Sequence, residues 1–204
     1  MLTLLSAIIL SLIGAQIFQQ ILGKRALNDL SRDNMGLLEQ REQSHAENIY
    51  QTIDPVVEES IALGEMSKLD VLIGTYSHID GLLEYSIYDN KGVAAYSTSQ
   101  DILKSRKALP SDLKSQLLGT PAKFSRRTGE AFEIYQPLVV NDKCLECHDY
   151  FKKGAIGGVA LLRVSTDTLA KSKESWNVAT AKIGNTGIKV AALTTLVIAL
   201  VCRA

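Results

Sequence analysis

Residues 131–164 read AFEIYQPLVVNDKCLECHDYFKKGAIGGVALLRV. Two apolar runs, Ala131 to Val140 and Ile156 to Val164, enclose a polar segment that carries two cysteines and a histidine. Runs of this length, bounded by turn residues, read as strands. Working outward, Ala122 to Ser125 faces Ala131 to Val140 across Thr128-Gly129, which is a hairpin signal. Leu83 to Asp89 and Val93 to Ser97 flank Asn90-Lys91-Gly92, a second hairpin. Pro110 to Leu118 predicts a short helix ended by Gly119, Lys68 to Ser77 another, and Asp167 to about Ala181 a third. Five strands with the long helices kept to the two ends predict an α+β fold built on one antiparallel sheet.

Upstream of the strands, Ala26 to about Gly64 has no proline before Pro55. Leu27, Leu30, Leu38, Ile49, Ile53, Val56 and Val57 recur there at steps of three and four, the period of a long helix that Gly64 would stop. Its middle, Glu39 to Asn48, is almost wholly polar. Such a stretch is expected to project through water or to pair with another subunit.

The 204 residues carry 22 basic and 22 acidic side chains, so no global field favours nucleic acid or an acidic substrate. The length fits one ordinary domain with attachments, which excludes a multidomain enzyme. A mean hydropathy of +0.07 is high for so charged a chain, because the apolar residues gather at the two ends. Residues 1–22, MLTLLSAIILSLIGAQIFQQIL, hold no charge, and Lys24 and Arg25 follow. A hydrocarbon core of about 30 Å needs about 20 helical residues, so residues 1–23 are expected to be an uncleaved membrane helix. A cleaved signal peptide would need a basic start, a shorter apolar core and a small-residue cleavage site, and none is evident. The second run, within 188–202, is short for a span. It would cross with tilt or bilayer thinning, or as a truncated helix; the alternative is a C-terminal helix packed on a soluble core.

Cys144, Cys147 and His148 form Cys-Leu-Glu-Cys-His, the C-x-x-C-H spacing of covalent haem attachment. Two thiols three positions apart can each add to one vinyl group of a porphyrin, and the adjacent imidazole can then reach the iron. Three other readings compete. A thioredoxin-like motif needs a helix start in a βαβ setting, whereas a strand-like run precedes this one and a Lys-Lys-Gly loop follows. A structural zinc site needs a further ligand pair that the sequence lacks. A disulfide closing so small a loop would add little stability. Haem c is therefore the expected cofactor, with His148 as proximal iron ligand. Covalent haem attachment occurs on the far side of the energy-transducing membrane, so in a bacterium residues 24–187 are expected in the periplasm, anchored to the inner membrane.

The order of membrane segment, long helix, small sheet domain and return helix resembles the sensor part of bacterial chemoreceptors and sensor kinases. The resemblance is sharpest at Ala131 to His148 and at Gly157 to Thr166, GGVALLRVST. These are similar to the c-type haem-binding PAS-like or Cache-like periplasmic sensor family of methyl-accepting chemotaxis proteins. The resemblance implies membrane helix 1 over 1–23, a long extracytoplasmic helix over 24–66, a haem-binding PAS-like sheet domain over 67–166, a return helix over 167–187 and membrane helix 2 over 188–202. It also implies pairing of two copies through the long helix, and a signal set by the iron's redox state or by a small gaseous ligand. A receptor of this kind needs a cytoplasmic signalling module, which lies outside these residues. The alternative is a membrane-anchored mono-haem cytochrome that transfers electrons. No residue constellation suggests catalysis, and the chain is not expected to be an enzyme.

Candidates for the sixth iron ligand are Met35, His45, Met66 and His78. At about 1.5 Å per residue the long helix would carry Glu65 about 60 Å from the membrane, while the return helix descends about 30 Å. The loop holding Cys144 then opens at the membrane-distal edge of the sheet, nearer Met66 than Met35 or His45, which makes Met66 the first choice. An open or water-occupied position is the other reading. Arg126, Arg127, Lys152 and Lys153 could balance haem propionates, or could be solvated loop residues.

Overall fold

The computed structural model describes residues 2–146, 150–167, 169–182, 189 and 193. Cys147, His148 and nearly all of the second apolar run lie outside the described residues. The chain divides into two compact units, residues 1–39 with 169–204, and residues 40–168.

Helix α1 (Leu2–Ala62) runs for 61 residues without a break at Gly23-Lys24-Arg25. Among the described residues no helix is long and apolar enough to cross a membrane; the side chains of residues 1–10 and 12, in the first half of the apolar run, are not among those described. Pro55 lies inside α1 and removes one backbone donor. The helix persists because Ile53 and Val57, on either side, are buried against the sheet. Gly64, with φ of +68°, takes the left-handed conformation that stops the helix, as its position in the sequence predicts. Helix α2 (Met66–Tyr76) follows at once.

Within 40–168, strands β1 (Leu82–Asp89), β2 (Ala94–Ser97), β3 (Phe124–Arg127), β4 (Ala131–Val139) and β5 (Ile156–Ser165) form one antiparallel sheet in the order β2-β1-β5-β4-β3. Three further helices, α3 (Gln100–Lys104), α4 (Ser111–Gly119) and α5 (Asp142–Leu145), lie in its connections. The alternation along β1 sends Tyr85 and Ile87 to one face and Tyr88 to the other. The first face packs under Tyr50, Ile53 and Val57 of α1 and Leu69 and Ile73 of α2. The second is covered by Leu109 and by Leu113 and Leu117 of α4. Both faces are buried, so the strands read as nearly continuous apolar runs.

The second face also buries charge. Glu84 of β1, Arg163 of β5, Glu133 of β4 and Arg126 of β3 are direct cross-strand partners, one after the next. Arg163 reaches Glu84 at 3.3 Å and Glu133 at 3.1 Å, and Arg126 reaches Glu133 at 2.8 Å. Lys107 and Asp112 close the two ends of the row at 3.1 Å each. Signs alternate along it, as cross-strand pairing favours.

The polar middle of α1 packs one face on the sheet and leaves Gln40, Arg41, Gln43, Ser44, His45 and Asn48 exposed. Ala46 is fully buried, Glu42 accepts a 2.8 Å hydrogen bond from Arg127, and Glu47 pairs with Lys123. That stretch is therefore fixed to the β3 edge of its own sheet. Four-residue spacing alone could not reveal cations arriving from residues 123 and 127.

In the other unit, residues 169–182 are helical (α6), and Lys173 pairs with Glu39 at 3.2 Å.

Candidate functional site

The C-terminal end of α1 and the start of α2 meet the ends of β1, β4 and β5 around a pocket of about 540 Å³. That volume is in the range of small-molecule and cofactor sites, about 300–1,000 Å³. Glu58, Ile61 and Ala62 of α1 form one wall with Met66 and Leu69 of α2. Ile87 to Lys91 and Leu138 to Asn141, from the ends of β1 and β4, form another. Cys144, Tyr150, Phe151 and the first glycines of β5, Gly157 and Gly158, complete it.

Cys144 is placed by a short helical turn that leaves β4. Asn141 caps this turn, its side-chain Oδ1 accepting from the Cys144 N–H at 3.2 Å. The loop is shut at its base, because Val140 donates to Ala155 and Gly154 donates to Val140, each at 2.9 Å. Since β4 and β5 are antiparallel neighbours, the loop is a hairpin excursion and not a βαβ crossover. This separates it from a thioredoxin-like setting. The Cys144 thiol is half-buried and opens on the pocket.

Met66, the first residue of α2, is half-buried in the wall of the same pocket. The other three ligand candidates do not line it. Met35 belongs to the other unit, His45 lies beside Gly81 ahead of β1, and His78 is exposed in the turn after α2. Among the described residues no three His, Cys, Asp or Glu side chains converge as a metal site; Cys147 and His148 fall outside that set.

Charge is sparse around the pocket. Asp89 holds the turn after β1, accepting from the backbone N–H groups of Lys91 and Val93 at 2.9 Å each. Burial, and then the nearby charge of Asp54, raises the Glu58 carboxyl above the usual carboxylate range. Lys91 is the one basic side chain among the described lining residues. The four cations weighed as propionate partners lie elsewhere. Arg126 is engaged by Glu133 and Asp112, Arg127 by Glu42, and Lys153 by Asp142 at 2.6 Å, while Lys152 is exposed on the loop. Arg126 and Arg127 are strand residues and not loop residues, because Thr128 closes the hairpin onto Ala131 and β3 extends through both arginines.

No family model and no curated protein matches the sequence. Among solved structures, the chain is similar to the extracellular domain of a protein assigned as histidine kinase rpHK1S-Z16, at 12% identity and a TM-score of 0.45, over 69% of this chain and 59% of that one. It is similar in the same way to the extracellular domain of a protein assigned as histidine kinase vpHK1S-Z8, at 12% identity and a TM-score of 0.43, over 71% and 60%. A third is the domain of a protein assigned to the sensory box/GGDEF family from Vibrio parahaemolyticus, at 10% identity and a TM-score of 0.35, over 68% and 61%. The chain thus spans about three fifths of each solved chain.

Several wall residues carry no sequence signal of their own. Glu58, Ile61 and Ala62 are ordinary helix residues until the fold sets them against the loop after β4. Gly157-Gly158 is different, since two glycines opening an apolar strand mark a place where another group approaches closely.

Proposed function

We propose that residues 40–168 are a periplasmic sensor module carrying one covalent haem c in this pocket, within a membrane-anchored signalling receptor. The observation that carries the reading is that Cys144, first thiol of the C-x-x-C-H motif, and Met66 line one pocket of cofactor size with mostly apolar walls. Among the described residues, the half-buried Cys144 and the apolar side chains of the wall suit such a group. Cys144 and Cys147 would hold it by two thioethers, His148 would be the proximal ligand and Met66 the distal one. Lys91, which lines the pocket, would pair with a propionate. Bound there, haem would supply a one-electron redox centre or an iron open to a gaseous ligand.

The chain's own residues supply the surroundings. Ile61, Leu69, Ile87 and Leu138 exclude water, and the capped turn at Asn141 holds Cys144 toward the pocket. The helix that walls the pocket at Glu58 and Ile61 continues unbroken to Leu2, so a shift at the pocket acts on the same element as the N-terminal apolar run. Residues 1–23 and 188–202 would anchor the module in the inner membrane, leaving 24–187 outside. Pairing of two copies through α1 would use Leu30 and Leu37, seven residues apart and 52% and 58% exposed. The module itself catalyses no reaction.

Absorption spectra of the oxidised and reduced full chain test this directly. Met66→Ala is expected to shift the spectrum in at least one oxidation state. An unchanged spectrum removes Met66 as ligand, and a wild-type chain without haem bands removes the whole reading.

A further inference from the structure

Beside β2 the sheet is bordered by a short strap, residues 106–109, where open backbone groups and unpaired charge coincide. Helix α3 ends with the Arg106 N–H donating to the Leu103 carbonyl and the Lys107 N–H to that of Ile102, each at 3.1 Å. This ending requires a left-handed residue, ordinarily glycine, and here it is Arg106 with φ of +50°. The chain then returns along β2, Ala94 donating to the Lys107 carbonyl at 2.9 Å and Leu109 to that of Gly92 at 2.8 Å. Between these two bonds Val93 and Ala108 form an antiparallel bridge. Antiparallel alternation therefore turns the N–H and C=O of Ala108 away from β2. Ala108 is exposed, and these two groups have no hydrogen-bond partner among the described residues.

Positive charge surrounds the same strap. Lys104, Arg106, Lys107 and Lys114 are all exposed. Lys114 lies beside Gly92, where an added Cβ would stand 3.2 Å from its Cε, and so it flanks the strap at Leu109. Lys107 is paired with Glu84, whereas Lys104, Arg106 and Lys114 make no ion pair among the described residues. Of the nearby acids, Asp112 is engaged by Arg126, and Asp101 stands in the first turn of α3. An open donor and acceptor on a sheet edge can take one more strand, and the charge of the edge selects which. A second copy of this strap would set like charges opposite one another, which disfavours pairing between copies. An acidic segment would be drawn in, and the Arg106 guanidinium can hold a carboxylate by two hydrogen bonds. We propose that the strap docks an extended acidic peptide of a partner protein, added as a strand at Ala108 with its carboxylates meeting Lys104, Arg106 and Lys114. The proposal is independent of what the pocket holds.

The test titrates a synthetic peptide of alternating glutamate and valine into the full chain at low salt. The peptide is expected to bind, to protect the Ala108 amide from hydrogen exchange, and to release as salt is raised. Arg106→Gly keeps the left-handed turn, so the melting temperature should hold or rise while the peptide Kd increases about fivefold, the upper end for one exposed ion pair. Ala108→Pro removes the outward N–H and none of the bonds to β2, and should also weaken binding. A surface acting by charge alone would hold the peptide as tightly after that change. No binding of the peptide, no added protection at Ala108, an Ala108→Pro chain with wild-type affinity, or a preference for anionic lipid vesicles over the peptide overturns the proposal.

Discussion

Replacing Arg163 by methionine is expected to destabilise the 40–168 unit by about 3–5 kcal/mol, the range for removing one partner of a buried charge pair. Arg163 is the centre of the cross-strand row, donating to Glu84 on one side and Glu133 on the other. Glu84 is 1% exposed and Glu133 5%, so neither carboxylate can turn to water. Without Arg163, Glu84 keeps Lys107 and Glu133 keeps Arg126, but both lose the group between them. Chemical denaturation of the full chain measures the loss. Adding Glu84→Gln to Arg163→Met is expected to recover part of it, because the remaining group is then neutral. The pH dependence has a defined sign. Burial pushes the Glu133 carboxyl up, but hydrogen bonds from Arg126 and Tyr135, with the charges of Arg126 and Arg163, overcome that and hold it below its ordinary value. A depressed carboxyl gives stability that is present above its unfolded-state range and is lost as pH falls through the folded one. Acid should therefore weaken the wild type by a contribution that a Glu133→Gln chain lacks.

Gly158→Ala is the second large effect. Gly158 is paired with Asp89 of β1 and Leu138 of β4, in the interior of the sheet. An added Cβ would lie well under 3.0 Å from the carbonyl oxygen of Tyr88. That atom belongs to the neighbouring strand's backbone, which cannot rotate aside as a side chain could. The expected loss is about 3 kcal/mol, toward the upper part of the overpacking range. By contrast, an added Cβ at Gly129 meets no atom within 4 Å, so Gly129→Ala should leave the melting temperature nearly unchanged and serves as the control.

Much of the sheet was legible because its strands are short apolar runs punctuated by turn residues. Leu83 to Asp89, Ala131 to Val140 and Ile156 to Val164 each fall within one residue of the observed strands. The β3 strand was displaced by two residues, since Arg126 and Arg127 look like loop residues until Glu133 and Glu42 are known to face them. The three-residue and four-residue spacing in α1 revealed the helix but not its partner, and so the polar stretch from Glu39 to Asn48 was open to an intersubunit reading. For the site, Cys144 and Met66 both stand out in the sequence, and the fold sets them on one pocket. The α1 wall at Glu58 and Ile61, and Lys91 at the pocket, were not legible. Their roles depend on which elements the tertiary fold brings to one edge.

In the proposed function the pocket beside Cys144 holds a covalently attached haem. The most direct measurement is denaturation of the purified full chain in acidified organic solvent, followed by absorption of the separated protein and solvent phases. The haem absorbance is expected to stay with the polypeptide in the wild type and to pass to the solvent when both Cys144 and Cys147 are replaced by alanine. Haem that extracts freely from the wild-type chain would contradict it.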